Sequence, residues 1–187
     1  MTEPYSPAED TLLLIKTLER TEVGGVVVEI GCGLGAVLES IADRADEVIG
    51  TDIQLEALLE ARKRLTAFYG STHLINARGL SCIRRNNIIS LVVSNPPYLP
   101  EEPEIRDPTI HAGPTGVETA LEIVSEAAQI MAKGCRIILI ASSLSDFNRL
   151  KAETTEKGME METLSKLDLF FERLICVQIR GKCSAKF

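Results

Sequence analysis

Four residues in the middle of the chain, Asn95, Pro96, Pro97 and Tyr98, have the composition of a site that holds a planar amino group. Two prolines fix the backbone and remove competing N–H donors. The Asn95 side-chain carbonyl and the Pro96 backbone carbonyl could then accept the two hydrogens of an NH₂ group. With the Tyr98 ring on its face, the nitrogen would be aimed at an electrophile without a strong base. The alternative is a turn that follows a strand by chance.

A glycine-rich turn earlier in the chain predicts a nucleotide-like ligand. Its residues are Glu29, Gly31, Cys32, Gly33 and Gly35. Glycines between a strand and a helix let a ligand approach the backbone and meet helix N-terminal amides. Asp52 ends the next strand about 20 residues on, where an acid can bind both ribose hydroxyls. The spacing of the glycines favours S-adenosylmethionine as the ligand. A nicotinamide dinucleotide is the first alternative, but its motif would need Ala36 as the last small residue. The second alternative is a turn whose glycines have only a structural role.

Strand and helix patterns alternate along the whole chain. The β-branched run at 26–30 and the segment 47–52 are typical of strands buried on both faces of a parallel sheet. Further strands are predicted at 72–75, 88–93, 136–141, 159–164 and 174–179, and helices at 55–65, 117–131 and 146–157. This alternation predicts an α/β fold with right-handed crossovers, in which the Asn95 segment follows the carboxyl end of a strand.

The start of the chain predicts a further helix. Ser6 is a candidate N-cap, Pro7 suits the first helical position and Glu9 completes a capping box, so the helix should run to about Arg20. Its apolar residues should cover the sheet; they are Leu12, Leu13, Ile15 and Leu18.

Composition narrows the classes of function. With 20 basic and 27 acidic residues, the net charge of −7 disfavours non-specific binding to nucleic acid or anionic membrane. Five scattered cysteines indicate neither a disulfide framework nor a zinc site. No signal peptide or apolar run of about 20 residues is evident, which predicts a cytoplasmic protein. We expect a single domain over residues 1–187 with a frayed tail at 182–187.

The loop from Leu99 to Thr115 is longer than connections inside compact domains usually are. It carries four prolines and several acids. Such loops tend to be functional, and a tolerated insertion is the alternative.

Together, these motifs resemble those of the HemK-related release-factor glutamine methyltransferases. The matching stretches cover essentially the whole chain: 5–11, 28–35, 51–52, 94–100, and Gly113 and Gly116 with Glu118. More narrowly, they resemble the eukaryotic and archaeal branch of that family.

The resemblance implies a Rossmann-like class I methyltransferase with a seven-stranded, mostly parallel sheet whose last strand is antiparallel. It also implies S-adenosyl-L-methionine as donor. The acceptor would be the glutamine side-chain amide in the Gly-Gly-Gln loop of a peptide chain release factor. The branch acts with a small zinc-binding activator subunit that covers an apolar edge of the sheet, so such a partner is expected.

The resemblance also assigns residues. The catalytic residues would be Asn95, Pro96 and Tyr98. Asp10 and Thr11, in an N-terminal helix at 1–22, would lie over the donor, and Asp52 would bind its ribose. Many relatives carry an acid after the third strand, near the adenine, which this chain lacks; Ser81 or backbone atoms are left there. The implied donor site comprises Asp10, Thr11, Glu29, Gly31, Cys32, Gly33, Gly35, Asp52, Ile53, Ser81 and Asn95.

Two other functions remain open. The same tetrapeptide serves methylation of adenine or guanine amino groups, although the acidic charge and the lack of an added basic recognition domain disfavour a nucleic-acid substrate. The second open function is that of a subunit that binds the donor without catalysing a reaction. His73 and His111 are not expected to act as a base, because no orienting carboxylate is visible by spacing.

Overall fold

A computed structural model describes residues 8–84, 88–102, 107–130 and 134–181. The predictions for Ser6, Pro7, the helix end at Met131 and the tail at 182–187 lie outside these residues. Among the described ranges, no helix combines the length and the apolar character that crossing a bilayer requires.

Seven strands form one sheet in the order β3-β2-β1-β4-β5-β7-β6. Strand β7 runs antiparallel to both of its neighbours, whereas the β1 to β5 pairings are parallel. The predicted fold, a mostly parallel Rossmann-like sheet with an antiparallel last strand, is confirmed. The strands are β1 Val26–Ile30, β2 Glu47–Asp52, β3 Thr72–Asn76, β4 Ile89–Ser94, β5 Arg136–Ser142, β6 Met159–Asp168 and β7 Arg173–Gly181.

Within the described ranges, five α-helices flank the sheet, and a short 3-10 segment at Leu65–Ser71, which the sequence did not predict, leads into β3. Helix α1 begins at Glu9, two residues after the predicted start, with Ala8 as its N-cap in extended conformation. In α5, by contrast, the Asp146 carboxylate caps the helix by accepting a hydrogen bond from the Arg149 N–H at 2.9 Å. The helices are α1 Glu9–Glu19, α2 Ala36–Ile41, α3 Leu55–Arg64, α4 Glu118–Ile130 and α5 Phe147–Glu156.

Apolar side chains fill both faces of the sheet. One cluster joins α4 and α5 to one face, and a second joins α1, α2 and α3 to the other. In α1, Leu13, Leu14 and Leu18 are buried, whereas Leu12, predicted to cover the sheet, is 51% exposed. Burial of such leucines contributes about 1.5–3 kcal/mol each, so both layers are held mainly by apolar packing.

The strand order places a crevice at the carboxyl ends of β1 and β4. After β3 the chain crosses to the opposite side of β1, which is the topological switch point where open α/β sheets bind ligands. The Ser94 hydroxyl donates to the Ile30 carbonyl at 2.8 Å and joins the ends of the two strands. The glycine turn and the Asn95 segment therefore leave the sheet side by side.

Candidate active site at the switch point

The glycine turn leaves β1 with its backbone facing open space. Gly31 and Gly33 have φ angles of +69° and +50°, which glycine adopts without strain. A Cβ added at either residue would meet no described atom within 4 Å, so the lack of side chains keeps this space clear. Gly35 differs, because its Cβ would lie 3.0 Å from that of Ala61; it lets α2 pack closely against α3.

Asp52 is held beside this turn. Its Oδ2 accepts a hydrogen bond from the Gly33 N–H at 2.9 Å, and its Oδ1 accepts one from the Gln54 N–H at 2.8 Å. Two backbone donors fix the carboxylate at the end of β2, within reach of a ligand that lies on the turn. Ile53, the next residue, is 68% exposed, and its contact with the donor stays a prediction.

Glu29 is a buried acid at the end of β1. Within the described chain its Oε2 atom is buried and has no hydrogen-bond partner. Burial raises the pKa of this carboxyl well above its ordinary value; a hydrogen bond from the Leu38 backbone opposes the shift, and nearby Asp52 adds to it. A buried carboxyl oxygen without a partner is costly, so this arrangement favours a cationic ligand that would pair with Glu29.

Cys32 is a packing residue of the turn. Its side chain is buried, and a Cβ added at Gly50 would lie 2.8 Å from its sulfur. Burial, with the charges of Glu29 and Asp52, raises the pKa of the Cys32 thiol well above its ordinary value. The thiol is therefore protonated and inert.

The Asn95 segment is joined to the start of α1 by two long-range hydrogen bonds. The Asn95 Nδ2 donates to the Thr11 hydroxyl at 3.3 Å, and the Tyr98 hydroxyl donates to Asp10 Oδ2 at 3.2 Å. Asp10 Oδ1 in turn accepts from the Thr11 N–H at 2.6 Å. Asp10 and Thr11 thus lie beside the Asn95 segment, and they orient the Asn95 amide with its oxygen turned away from Thr11.

The Asn95 side-chain oxygen is the free acceptor of this group. Oδ1 is buried and makes no hydrogen bond to any described residue. A buried carbonyl without a donor costs about 1–3 kcal/mol. Asn95 is therefore preorganised to accept an N–H from a bound molecule, next to the buried ring of Pro96.

Other predicted residues lie elsewhere. The Ser81 hydroxyl is exposed and donates to the Arg78 carbonyl at 2.7 Å within its own turn, so its contact with adenine stays a prediction. His73 has a carboxylate partner after all, Glu47 at 2.7 Å, but this pair is exposed on neighbouring strands away from the switch point. His111 Nδ1 accepts from the Asp107 N–H at 3.3 Å.

Sequence reasoning did not predict that Glu118 and Arg149 are in contact. Glu118 Oε1 accepts from Arg149 Nη1 at 2.8 Å and from the Thr115 hydroxyl at 2.9 Å. Glu118 stands in a stretch that resembles the family, but no local pattern indicates its partner on α5.

Residues 8–166 match the family model of the methyltransferase small domain. The chain belongs to this family. No curated protein sequence matches the chain significantly.

Solved structures of methyltransferases share this fold. A chain of the E. cuniculi Mtq2-Trm112 complex, described as responsible for methylation of the eRF1 translation termination factor, matches with a TM-score of 0.78 and 25% identity over 95% of this chain and 98% of that chain. The T. thermophilus 16S rRNA N2 G1207 methyltransferase RsmC, solved with AdoMet and guanosine, matches with a TM-score of 0.72 and 19% identity over 95% and 44%. The ribosomal protein L11 methylase of Lactobacillus delbrueckii subsp. bulgaricus matches with a TM-score of 0.69 and 16% identity over 95% and 82%.

S-adenosylmethionine is the cofactor of this methyltransferase. The residues at the switch point fit it: the turn leaves clear space, Asp52 presents a fixed carboxylate, and Glu29 has a buried oxygen without a partner. When bound, the cofactor supplies an electrophilic methyl group on a sulfonium. The chain's own residues must orient an acceptor toward it, and Asn95 has a buried acceptor atom without a partner among the described residues.

Proposed function

We propose that this methyltransferase modifies the side-chain amide of glutamine in the Gly-Gly-Gln loop of a peptide chain release factor. The observation that carries the proposal is the buried Asn95 Oδ1, which lacks a partner among the described residues and lies at the switch point of the sheet. The motifs of the HemK-related family support it, as does the match to the Mtq2-Trm112 complex at 25% identity.

The proposed catalytic residues would position the amide and stabilise its developing charge; they are Asn95, Pro96 and Tyr98. An amide nitrogen is a poor nucleophile because its lone pair is delocalised. The Asn95 side-chain oxygen and the Pro96 carbonyl oxygen would accept its two hydrogens, and the Tyr98 ring would pack on its face. These contacts orient the lone pair and stabilise the positive charge that develops on nitrogen, so no strong base is needed.

A labelled-donor assay tests the acceptor. The purified chain, with any activator it requires, is incubated with radiolabelled S-adenosylmethionine and a release factor, with a matched factor carrying Gly-Gly-Asn, and with RNA and DNA. We expect label in the first protein only, and mass spectrometry should place it on the glutamine. Label in nucleic acid but never in the release factor would replace this proposal with amino-group methylation of a base.

The Asn95 segment disfavours the alternative of a subunit that binds the donor without catalysis. A protein that only held the donor would have no use for a buried oxygen that awaits an N–H donor. Failure of the wild-type chain to label any acceptor, despite tight donor binding, would support that alternative.

We also propose that a small zinc-binding activator subunit binds at the β3 edge of the sheet. Strand β3 is the outermost strand on this side. Leu55, Leu59 and Tyr69, from the chain just before it, are exposed by 53%, 51% and 70%. An edge strand with apolar neighbours can pair with a strand of another protein.

Co-expression tests this partner. We expect the two chains to elute as one complex in size-exclusion chromatography and Leu59→Lys to separate them. The matched control Leu144→Lys changes an exposed leucine that follows β5, so it should leave the complex intact. Equal effects of the two variants would remove β3 as the interface.

A further inference from the structure

A turn at residues 113–117 packs directly against the backbone that follows the Asn95 segment. A Cβ added at Gly116 would lie 2.5 Å from the Tyr98 carbonyl oxygen and 2.9 Å from the Pro100 nitrogen. Gly116 also has a φ of +75°, in the left-handed region that favours glycine. The position of this turn therefore determines where the backbone after Tyr98 can lie.

The two stretches are also joined by backbone hydrogen bonds. The Leu99 N–H donates to the Ile110 carbonyl, the Ala112 N–H to the Leu99 carbonyl, and the Glu101 N–H to the Gly113 carbonyl, each at 2.9 Å. These bonds form a short ladder outside the main sheet. A shift of the turn would consequently be transmitted to the residues directly after Tyr98.

The Glu118 carboxylate holds the turn closed from the start of α4. It accepts hydrogen bonds from the Val117 N–H at 3.1 Å, the Thr115 N–H at 3.3 Å and the Thr115 hydroxyl at 2.9 Å. Burial raises the pKa of Glu118, but hydrogen bonds from its own backbone, Thr115 and Arg149 together lower it below its ordinary value. The charged carboxylate is thus the form that fits this turn.

Arg149 ties the same turn to α5. Its Nη1 donates to Glu118 Oε1 at 2.8 Å and to the Thr115 hydroxyl at 2.9 Å. Its Nε donates to Glu153 at 2.7 Å on the same helix, which fixes the guanidinium from behind. The Asp146 N–H adds a bond to the Thr115 carbonyl at 2.9 Å. The turn is therefore fastened to two helices at once.

We propose that Glu118 and Arg149 are positioning residues, which clamp the 113–117 turn against Tyr98 and Pro100 and so fix the acceptor oxygens of the Asn95 segment. Neither residue touches the reacting atoms. The proposal rests on the proposed function for the identity of the acceptor, but the mechanical link stands on the contacts above. Both residues act through the backbone that follows Tyr98.

The test compares Glu118→Gln and Arg149→Gln with Glu156→Gln. The control removes an exposed carboxylate at the end of α5 that, among the described contacts, bonds neither to Arg149 nor to the turn or the Asn95 segment. NMR hydrogen exchange reports on the amides of Leu99, Glu101 and Ala112. We expect these amides to exchange about tenfold faster or more in the first two variants and at the wild-type rate in the control.

Kinetics supply the second readout, measured on whichever acceptor the wild-type chain labels. We expect kcat to fall by about tenfold to a hundredfold in Glu118→Gln, as for a small misplacement of a positioned group, while the donor Kd stays within about twofold. Arg149→Lys should restore part of the rate lost in Arg149→Gln, because it keeps the charge but only part of the hydrogen bonding.

Wild-type exchange in both Glu118→Gln and Arg149→Gln would overturn the proposal, as would a loss of donor affinity as large as the loss of kcat. If Glu118→Gln does not fold, Arg149→Gln decides alone. Absence of label in a release factor would remove the proposed function but not the clamp, since the exchange measurement needs no acceptor.

Discussion

The donor side and the acceptor side of the crevice are built in different ways. On the donor side, Glu29, Gly33 and Asp52 come from one strand, its turn and the next strand, and the Gly33 N–H donates to the Asp52 carboxylate. On the acceptor side, Asn95 and Tyr98 are bonded to Thr11 and Asp10, which are 84 and 88 residues away. The donor side is thus built from residues close together in the sequence, whereas the acceptor side is built from residues that only the fold brings together.

The two halves also differ in the atom that each leaves for a ligand. The donor side holds a buried carboxyl oxygen without a partner, that of Glu29, and the acceptor side holds a buried amide oxygen without a partner, that of Asn95, as far as the described residues show. A carboxylate suits a cation and a neutral carbonyl suits an N–H. Under the proposed function, the Glu29 oxygen would serve the cofactor and the Asn95 oxygen would serve the methyl acceptor.

Asn95→Ala should produce the largest effect and separate the two halves. Loss of the free Oδ1 should reduce kcat by about a hundredfold to a thousandfold, the range for removing one preorganised group that stabilises charge. Donor binding, measured by calorimetry, should be nearly unchanged because Asp52 and the glycine turn are untouched. Substantial residual turnover would show that Asn95 does not hold the acceptor.

Asp52→Ala should have the converse effect. It removes a carboxylate that two backbone N–H groups hold in place, and donor binding should weaken by about 1–3 kcal/mol, the range for a hydrogen bond to a charged group. At saturating donor, kcat should recover toward the wild-type value. An unchanged donor Kd in calorimetry would move the ribose site elsewhere.

Glu29 should couple donor binding to pH. Because burial raises its folded-state pKa, the contribution of Glu29 to the stability of the donor-free protein should be fully present below the ordinary carboxyl value of 4.5 and be lost as pH rises through the folded value. A cationic ligand favours the ionised form of Glu29, so donor binding should release up to about one proton from it. Donor affinity should therefore increase as pH rises from 4.5 toward the folded-state pKa.

Calorimetry in two buffers of different ionisation enthalpy counts that proton. Glu29→Gln should bind the donor more weakly and without proton release, and its unfolding free energy should lose the decline above pH 4.5. Proton release that persists in Glu29→Gln would assign the coupling to another group.

Tyr98→Phe should have the smallest effect. It keeps the ring and removes the 3.2 Å hydrogen bond to Asp10. Since such a bond contributes about 0.5–1.5 kcal/mol, kcat should fall by about threefold to tenfold, with little change in donor Kd. Tyr98→Ala, which also removes the ring, provides the comparison; an equal loss in both variants would assign the role of Tyr98 to its hydroxyl.

The local half of the molecule could be predicted from the sequence. The β1 run, the glycine turn and the acid at the end of β2 follow one another along the chain, so their spacing alone predicts their arrangement. The start of α1 shows the limit of local signals. The capping pattern predicted a first helical residue at position 7, whereas the helix begins at Glu9 with Ala8 as its N-cap. Strand β6 continues to Asp168, four residues beyond the predicted 164, because pairing with β7 extends it while its exposed edge carries polar residues.

The assembled half could not be derived from spacing. The contact between Asp10 and Tyr98 depends on how α1 crosses the sheet, and the contact between Glu118 and Arg149 joins residues 31 positions apart on different helices. Family resemblance placed Asp10 and Thr11 near the donor site, but it gave no partner for Glu118. Periodicity reports which face of a helix is buried and not which side chain it meets.

A crystal structure with S-adenosylhomocysteine and a peptide that contains Gly-Gly-Gln tests the central claim most directly. The account predicts that the glutamine amide nitrogen lies about 2.7–3.2 Å from both Asn95 Oδ1 and the Pro96 carbonyl oxygen, within hydrogen-bond range. A glutamine bound elsewhere, with Asn95 Oδ1 still unbonded, would contradict it.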